Sequence, residues 1–292
     1  MTHPIALITD STCDIPSDWQ KQYDITVIPL TIVFGDQAYL DGVDLTARQF
    51  YERLGTDPVH PTTSQPAAGV FLDAYRRAAE KGAKHALVFT ISEAMSGTIG
   101  SARSAALESP IPVTVVNSQN NSMGLGWQVI RAARVRDASS ADTSSLDDCL
   151  KAMLEAAAQV REKIVYYITL DTIEYLARGG RISEAARFLN TLLQIKPLIF
   201  VRPETGMVGA ALPSRSRKSA IEALYKEYFK HIDSTRPLHI TVLHNAADEE
   251  AQALYDRVRQ EYNPVEMFIS IVSPVLGVHT GPRALALCGY SE

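Results

Sequence analysis

The 292 residues read as an α/β protein in two domains: an N-terminal three-layer domain with a parallel sheet, residues 1–160, and a C-terminal α+β domain, residues 161–292. Three observations carry that reading. At roughly 150 residues per domain the length favours two. The first half alternates short apolar runs with helix-period stripes, the pattern of parallel strands joined by crossover helices. The second half interleaves strands, helices and a hairpin-like turn without that regular alternation.

In chain order, IALIT (5–9) is a first strand, closed by Asp10, Ser11 and Thr12, and Pro16 opens a helix, as Pro does at a first helical position. Val70, Phe71, Ala74, Tyr75 and Ala78 repeat at helical spacing. HALVFTI (85–91) is a buried strand, Gly97 to Leu107 a helix, and VTVVN (113–117) a strand. Asp137 to Ser145 is small and polar, either a linker or a loop between helices, after which Leu146, Leu150, Met153, Leu154 and Ala157 resume a helical stripe. Then come a strand (164–169), helices to about 191, a strand (195–201) and a turn at Glu204 to Gly206. A helix carries Ile221, Leu224, Tyr225, Tyr228 and Phe229 on one stripe; LHITVLH (238–244), a helix at 247–260, and strands near 265–273 and 284–287 complete the pattern.

Hydrophobic residues make up 46% and charged residues 21%, the balance of a globular protein rather than a disordered one. No apolar run reaches the 18 or so residues of a membrane span. The N-terminus lacks a basic leader and reads as a strand, so a cytoplasmic protein is expected. A net charge of -5 disfavours nucleic acid as a partner. Within that acidic chain, Arg178, Arg181, Arg187, Lys196, Arg202, Arg215, Arg217 and Lys218 stand against only Glu184 and Glu204, a basic stretch suited to a phosphate or an acidic partner, or simply a solvated face. Cys13, Cys149 and Cys288 are far apart, and the histidines show no ligand-like pairing, so neither a disulfide framework nor a metal site is expected.

Signatures for ATP, dinucleotide, serine-hydrolase and zinc-protease chemistry are missing. What remains is a set of hydroxyl-rich loops after residues 9, 91 and 117, where parallel sheets hold ligands. Pro61 to Pro66 and Ser92 to Thr98 each lead into a helix, offering Ser or Thr as caps or as an anion cradle. His279 lies between Gly277 and Gly281, a turn whose backbone can approach a ligand. In the segment 174–183 the Gly179-Gly180 pair ends a helix and Ser183 can cap the next, so that Arg181 projects from a turn.

ITDSTCDIP, PTTSQP, MSGTIGSA, NSQNNSMGLG, YLARGGRIS, LLQIKP and GVHTGP follow the order and spacing of the DegV family, which the whole chain resembles. The resemblance implies a DegV-like two-domain fold that holds a long-chain fatty acid such as palmitate, stearate or oleate between and within the domains. It implies no catalysis and no cofactor: the protein presents the fatty acid to the catalytic subunit of a bacterial fatty acid kinase, with membrane contact at most transient. By position, Thr63, Ser96 and His279 match the carboxylate-binding residues, with Gly97, Thr98 and Thr280 beside them, and Arg181 matches the arginine that faces the kinase or the phosphorylated head group. Arg283 stands where the family has Gly, and Asn117 where Asp is commoner. Ser96 and His279 could otherwise be the nucleophile and base of a hydrolase, or the basic stretch could serve a phosphate-ligand or protein-interaction module.

Overall fold

The computed structural model describes residues 3–139, 145–182, 185, 186 and 195–292. The chain runs β1 (Ile5–Asp10), α1 (Ser17–Gln22), β2 (Ile25–Ile28), β3 (Thr31–Phe34), β4 (Gln37–Leu40), α2 (Ala47–Leu54), β5 (Thr62–Ser64), α3 (Ala68–Glu80) and β6 (His85–Thr90). It continues through α4 (Thr98–Ala106), β7 (Val113–Asn117), α5 (Ser122–Ala138), α6 (Leu146–Lys163), β8 (Val165–Thr169) and α7 (Glu174–Arg178). The last elements are β9 (Leu198–Val201), β10 (Val208–Ala210), α8 (Arg217–His231), β11 (Leu238–His244), α9 (Asp248–Tyr262), β12 (Glu266–Ile271), α10 (Pro274–Thr280) and β13 (Leu285–Ser291).

Two compact units form, one from residues 1–31 and 64–162, the other from 32–63 and 163–292. The first is built on a four-stranded sheet in the order β2-β1-β6-β7, parallel throughout. Parallel strands need both faces covered. On one face Ile8, Ala86 and Val88 bury against Phe71, Ala74 and Tyr75 of α3 and Ala102 and Ala105 of α4. Alternation along the strands sends Leu7 and Leu87, both wholly buried, to the face on which α5 packs. Asp10, at the carboxyl end of β1, accepts from the Thr12 backbone N–H at 3.0 Å and the Ile91 N–H at 2.7 Å, tying the ends of β1 and β6 together. Burial pushes the Asp10 carboxyl up and these bonds hold it down.

The second unit carries a six-stranded sheet, β10-β9-β8-β13-β11-β12, antiparallel except for the β11–β12 pair. Leu224, Tyr225 and Tyr228 of α8 and Leu254 and Val258 of α9 bury one face over Ile240, Val242, Leu285 and Leu287. The small sheet β4-β3-β5 and α2 belong to this unit, with Phe34 and Phe50 in contact at 6.1 Å between ring centroids. Arg53 of α2 lies over the Phe34 ring at 3.9 Å and pairs with Asp57 at 2.8 Å, clamping the β3–β4 hairpin to the helix. α10 packs on α2 and α7, and on this contact the placing of His279 depends.

The contiguous division at 160 expected from the sequence is corrected in one respect: residues 32–63 leave the N-terminal half and join the second unit, whose main part begins at 163. That excursion is hard to read because β4 is almost wholly exposed and shows no alternation. α5 escaped notice for the opposite reason. From Ser122 to Ala133 it is buried all round except at Arg131, so no polar face marks its period. α5 and α6, on either side of the polar stretch 137–145, belong to one unit, so that stretch is not a domain linker; residues 140–144 of it lie outside the described residues. The helix expected to run to about 191 lies largely outside the described residues, as do Ser183, Glu184 and Arg187.

Gly126 in α5 shows how tightly this unit is closed. A Cβ there would sit 2.6 Å from the Cys13 carbonyl oxygen and 3.1 Å from Ile15. Helix propensity alone would favour Ala over Gly by about 1 kcal/mol, but overpacking against backbone costs about 1 to 3 kcal/mol. Gly126→Ala should therefore lower unfolding free energy in urea despite the better helix former; an unchanged or raised midpoint would show that α5 has room to shift.

Candidate functional site

His279 occupies the last turn of α10, not an irregular turn between glycines as the sequence suggested. Pro274 opens this short helix, and Gly277 lets it approach α2: an added Cβ would lie 2.7 Å from Phe50 and 2.6 Å from the Tyr51 hydroxyl. The Tyr51 hydroxyl donates to the Val272 carbonyl at 3.0 Å, fixing the segment just before α10. At the other end the buried Asn245 amide donates to Thr280 Oγ1 at 2.8 Å and to the Gly281 carbonyl at 2.6 Å. The Thr280 hydroxyl in turn donates to the Leu276 carbonyl at 2.9 Å, so it is engaged in ending the helix.

Thr63, on β5, meets His279 with 3.0 Å between Oγ1 and Nε2. Among the described residues His279 Nδ1 is buried without a hydrogen-bond partner; it faces Gly179, where a Cβ would stand 2.1 Å away. A buried N–H left unpaired costs more than a bare lone pair. The proton therefore belongs on Nε2, which donates to Thr63 Oγ1 and leaves the threonine hydroxyl hydrogen free to donate outward. Burial holds the imidazole neutral, and Arg181 and His60 add to the effect, bringing its pKa down to about 4.

Around this pair stand residues that were not among the sequence's candidates for the site. Gly179 is required for its missing side chain: its φ is ordinary, but only glycine admits the His279 ring. Tyr175 packs over Gly281, whose φ of 72° and absent Cβ both suit the turn after α10. His60 lies against the same tyrosine, 5.5 Å between ring centroids, with Nε2 buried and unpartnered. A histidine between Pro58 and Pro61, just ahead of the Thr-Thr-Ser run, was the available signal for it.

Arg181 follows the Gly179-Gly180 turn, with Gly180 at φ 68°, and is exposed; one guanidinium nitrogen donates to the Gly179 carbonyl at 2.7 Å. Three members of the basic stretch are paired with carboxylates within the unit. Arg178 pairs with Glu174, Lys196 with Asp171 at 2.7 Å, and Arg217 with Glu250 at 2.6 Å. Arg283, at φ 60°, reaches the same Glu250 at 3.3 Å, so its charge is directed to α9. The left-handed backbone there explains why glycine suits the position.

Ser96, Gly97 and Thr98 lie in the first unit, at the start of α4. Ser96 Oγ and Thr98 Oγ1 are 2.8 Å apart, and the Thr98 N–H points to Ser96 Oγ at 3.4 Å. Gly97 leaves space for the Gln65 side chain, whose oxygen would be 2.2 Å from an added Cβ and whose amide donates to Ser101 at 3.1 Å. Neither hydroxyl loop supplies the expected side-chain cap to its helix: the N-cap of α3 is Ala67 and that of α4 is Gly97. Asn117 accepts from the Glu93 and Gln119 N–H groups at 3.2 and 3.0 Å, a role its oxygen performs as an aspartate would.

Comparison with known proteins agrees with this architecture. Residues 4–292 match the family described as "Uncharacterised protein, DegV family". A DegV domain-containing protein of Streptomyces coelicolor is 34% identical over 289 residues, covering 98% of each chain. A DegV family protein of Thermus thermophilus, described for its fatty acid binding, superposes with a TM-score of 0.87 at 31% identity over 99% of each chain. DegV of Bacillus subtilis, described as a fatty acid binding protein, gives 0.88 at 28% identity over 99% of this chain and 100% of its own.

The neutral His279 makes stability pH-dependent in a definite sense. In the unfolded chain it takes up a proton near pH 6.5, in the folded protein only near 4. Stability is thus complete above the unfolded value and falls as pH drops through that window, by about 3 kcal/mol in total. Urea unfolding of the wild type and His279→Leu across this range should show the steeper acid loss in the wild type; parallel profiles would mean the ring titrates normally when folded.

Proposed function

Because the chain belongs to the DegV family, we propose that it binds a long-chain fatty acid, such as palmitate, stearate or oleate, and presents its carboxylate to the catalytic subunit of a fatty acid kinase in the cytoplasm. The observation that carries the binding half is the Thr63–His279 pair at 3.0 Å. With Nε2–H donating, the Thr63 hydroxyl is held as a donor toward an anion, and a hydrogen bond to a charged group contributes about 1.5 to 3 kcal/mol. A tail of about 14 methylenes moved from water into an apolar interior is worth roughly 11 kcal/mol gross, so the tail dominates affinity and the head group needs only to be positioned. Ser96, Gly97 and Thr98 are proposed as a further polar contact to the ligand.

The protein acts as a carrier with no resident cofactor. Against a serine hydrolase stands the surrounding of His279: the nitrogen that a triad's orienting carboxylate would hold, Nδ1, meets Gly179 instead. Against a phosphate module built on the basic stretch stand the pairings of Arg178, Lys196 and Arg217 with carboxylates. Arg181, exposed on its turn, is the residue proposed to meet the kinase or the acyl phosphate.

Protein purified from a bacterial host should release about one long-chain fatty acid on denaturing extraction, read by mass spectrometry; no lipid, together with no uptake of added palmitate or oleate, would end the carrier reading. Thr63→Val and Ser96→Ala should each weaken fatty-acid binding by about 1 to 3 kcal/mol, the cost of a lost hydrogen bond to a charged group; unchanged affinity in either variant removes that residue from the site.

Arg181→Ala should retain its fatty acid yet lose phosphorylation by a cognate kinase, through missing charge-assisted contacts. Lipid content measured beside kinase-coupled turnover separates the two functions. Loss of lipid with normal turnover of what remains would instead make Arg181 a carboxylate ligand.

A further inference from the structure

His60 is set beside the Thr63–His279 pair without any structural task of its own that its ring nitrogens reveal. Pro61 and Thr62 separate it from Thr63 along the chain, and its ring rests on Tyr175 at 5.5 Å between centroids. Tyr175 also packs over Gly281, directly after the turn that carries His279. Among the described residues His60 Nε2, shut off from solvent, has no hydrogen-bond partner, as is also true of His279 Nδ1. An unpaired buried polar atom costs about 1 to 3 kcal/mol, so such atoms persist where something else is to meet them. We infer that His60 is a second imidazole of the head-group site, one that draws in a proton to balance the charge of a bound anion. The inference rests on the fatty-acid reading given above.

The surroundings make His60 suited to this and His279 less so. In the unliganded protein burial lowers the His60 pKa, with Arg178 lowering it further and Glu174 opposing. Arg178 and Glu174 are paired with each other, so their influence largely cancels and what keeps His60 uncharged is desolvation. Among the described residues the other charged or titratable groups about the cluster are His279, Arg181 and the phenol of Tyr175, none of them anionic at neutral pH, and the Tyr175 pKa is raised by burial. Asp57 is engaged by Arg53 and by the Val59 N–H at 2.8 Å. Among these described groups the imidazolium of His60 therefore meets no unengaged anion, and a ligand would bring one. His279, by contrast, can gain a second proton only on Nδ1, against Gly179. Binding of a carboxylate should thus be accompanied by proton uptake at His60, and a head group of higher negative charge should draw on it more strongly.

The test compares the wild type with His60→Leu in binding of palmitate at about pH 5.5 and about pH 8. The variant's loss of affinity relative to the wild type should be about fivefold greater at the lower pH than at the higher, a modest coupling between two sites. Comparing proteins at the same pH cancels the ligand's own ionisation. In the intact wild type, NMR titration of the His60 ring should show its midpoint move upward by about one pH unit when palmitate is added; this reading needs no variant to fold. Parallel pH profiles in the two proteins, or a midpoint unmoved by ligand, would overturn the role of His60 while leaving fatty-acid binding intact. A wild type that takes up no palmitate at either pH would overturn the binding reading itself, and this inference with it.

Discussion

The second unit turns on one hydrogen bond, between a threonine hydroxyl and a neutral histidine 216 positions later in the chain. Its direction is decided by the far side of the ring. Because Nδ1 abuts Gly179 and finds no partner among the described residues, the proton is assigned to Nε2 and the threonine is left as donor. Were Nδ1 bonded to a carboxylate, as in a catalytic triad, the same residues would make a general base. The difference between a threonine held as donor and a general base is here a glycine.

Much of the rest of that unit serves to hold the ring still. α10 is short, and a helix of two turns has little stability alone. It is held by Gly277 against Phe50 and Tyr51, by the tyrosine hydroxyl on Val272, and by Asn245 at its carboxyl end. Thr280 and Asn245 thereby act on the site through His279, the first by closing the helix and the second by fixing the turn that follows. Residues 32–63 supply both Thr63 and the helix on which α10 rests, which gives this excursion of the chain a reason to belong to the second unit.

The first unit works by different means. Its sheet is parallel and buried on both faces, and its carboxyl edge is closed by side chain to backbone bonds, with Asp10 among the wholly buried acceptors. A buried carboxylate that accepts from two backbone N–H groups is a structural clasp. The polar richness of the loop after residue 9 is thus accounted for by closure of the sheet. The Ser96-Gly97-Thr98 turn is less committed: its two hydroxyls bond each other, and one of them must still direct a hydrogen elsewhere.

Periodicity determined the two-part α/β architecture and the main strands, because alternation is a local property of the chain, and the resemblance to the DegV family supplied Thr63, Ser96, Arg181 and His279 as candidates by position. What they could not determine is anything set by contacts between distant segments. The exposed β4 and the all-round buried α5 carry no amphipathic signal, so the assignment of 32–63 to the second unit rests on packing alone. Thr280 looks in sequence like a neighbour of the ligand, yet Asn245 and Leu276 engage its hydroxyl. Arg283 stands in sequence only as a departure from the family's glycine, and it is the fold that brings it to Glu250 on α9. Gly179 is one of two adjacent glycines, and only the ring lying 2.1 Å from its missing Cβ tells which of them the site requires. A protonation state depends on burial and on neighbours far away in sequence, and so the neutral His279 was decided by the tertiary structure.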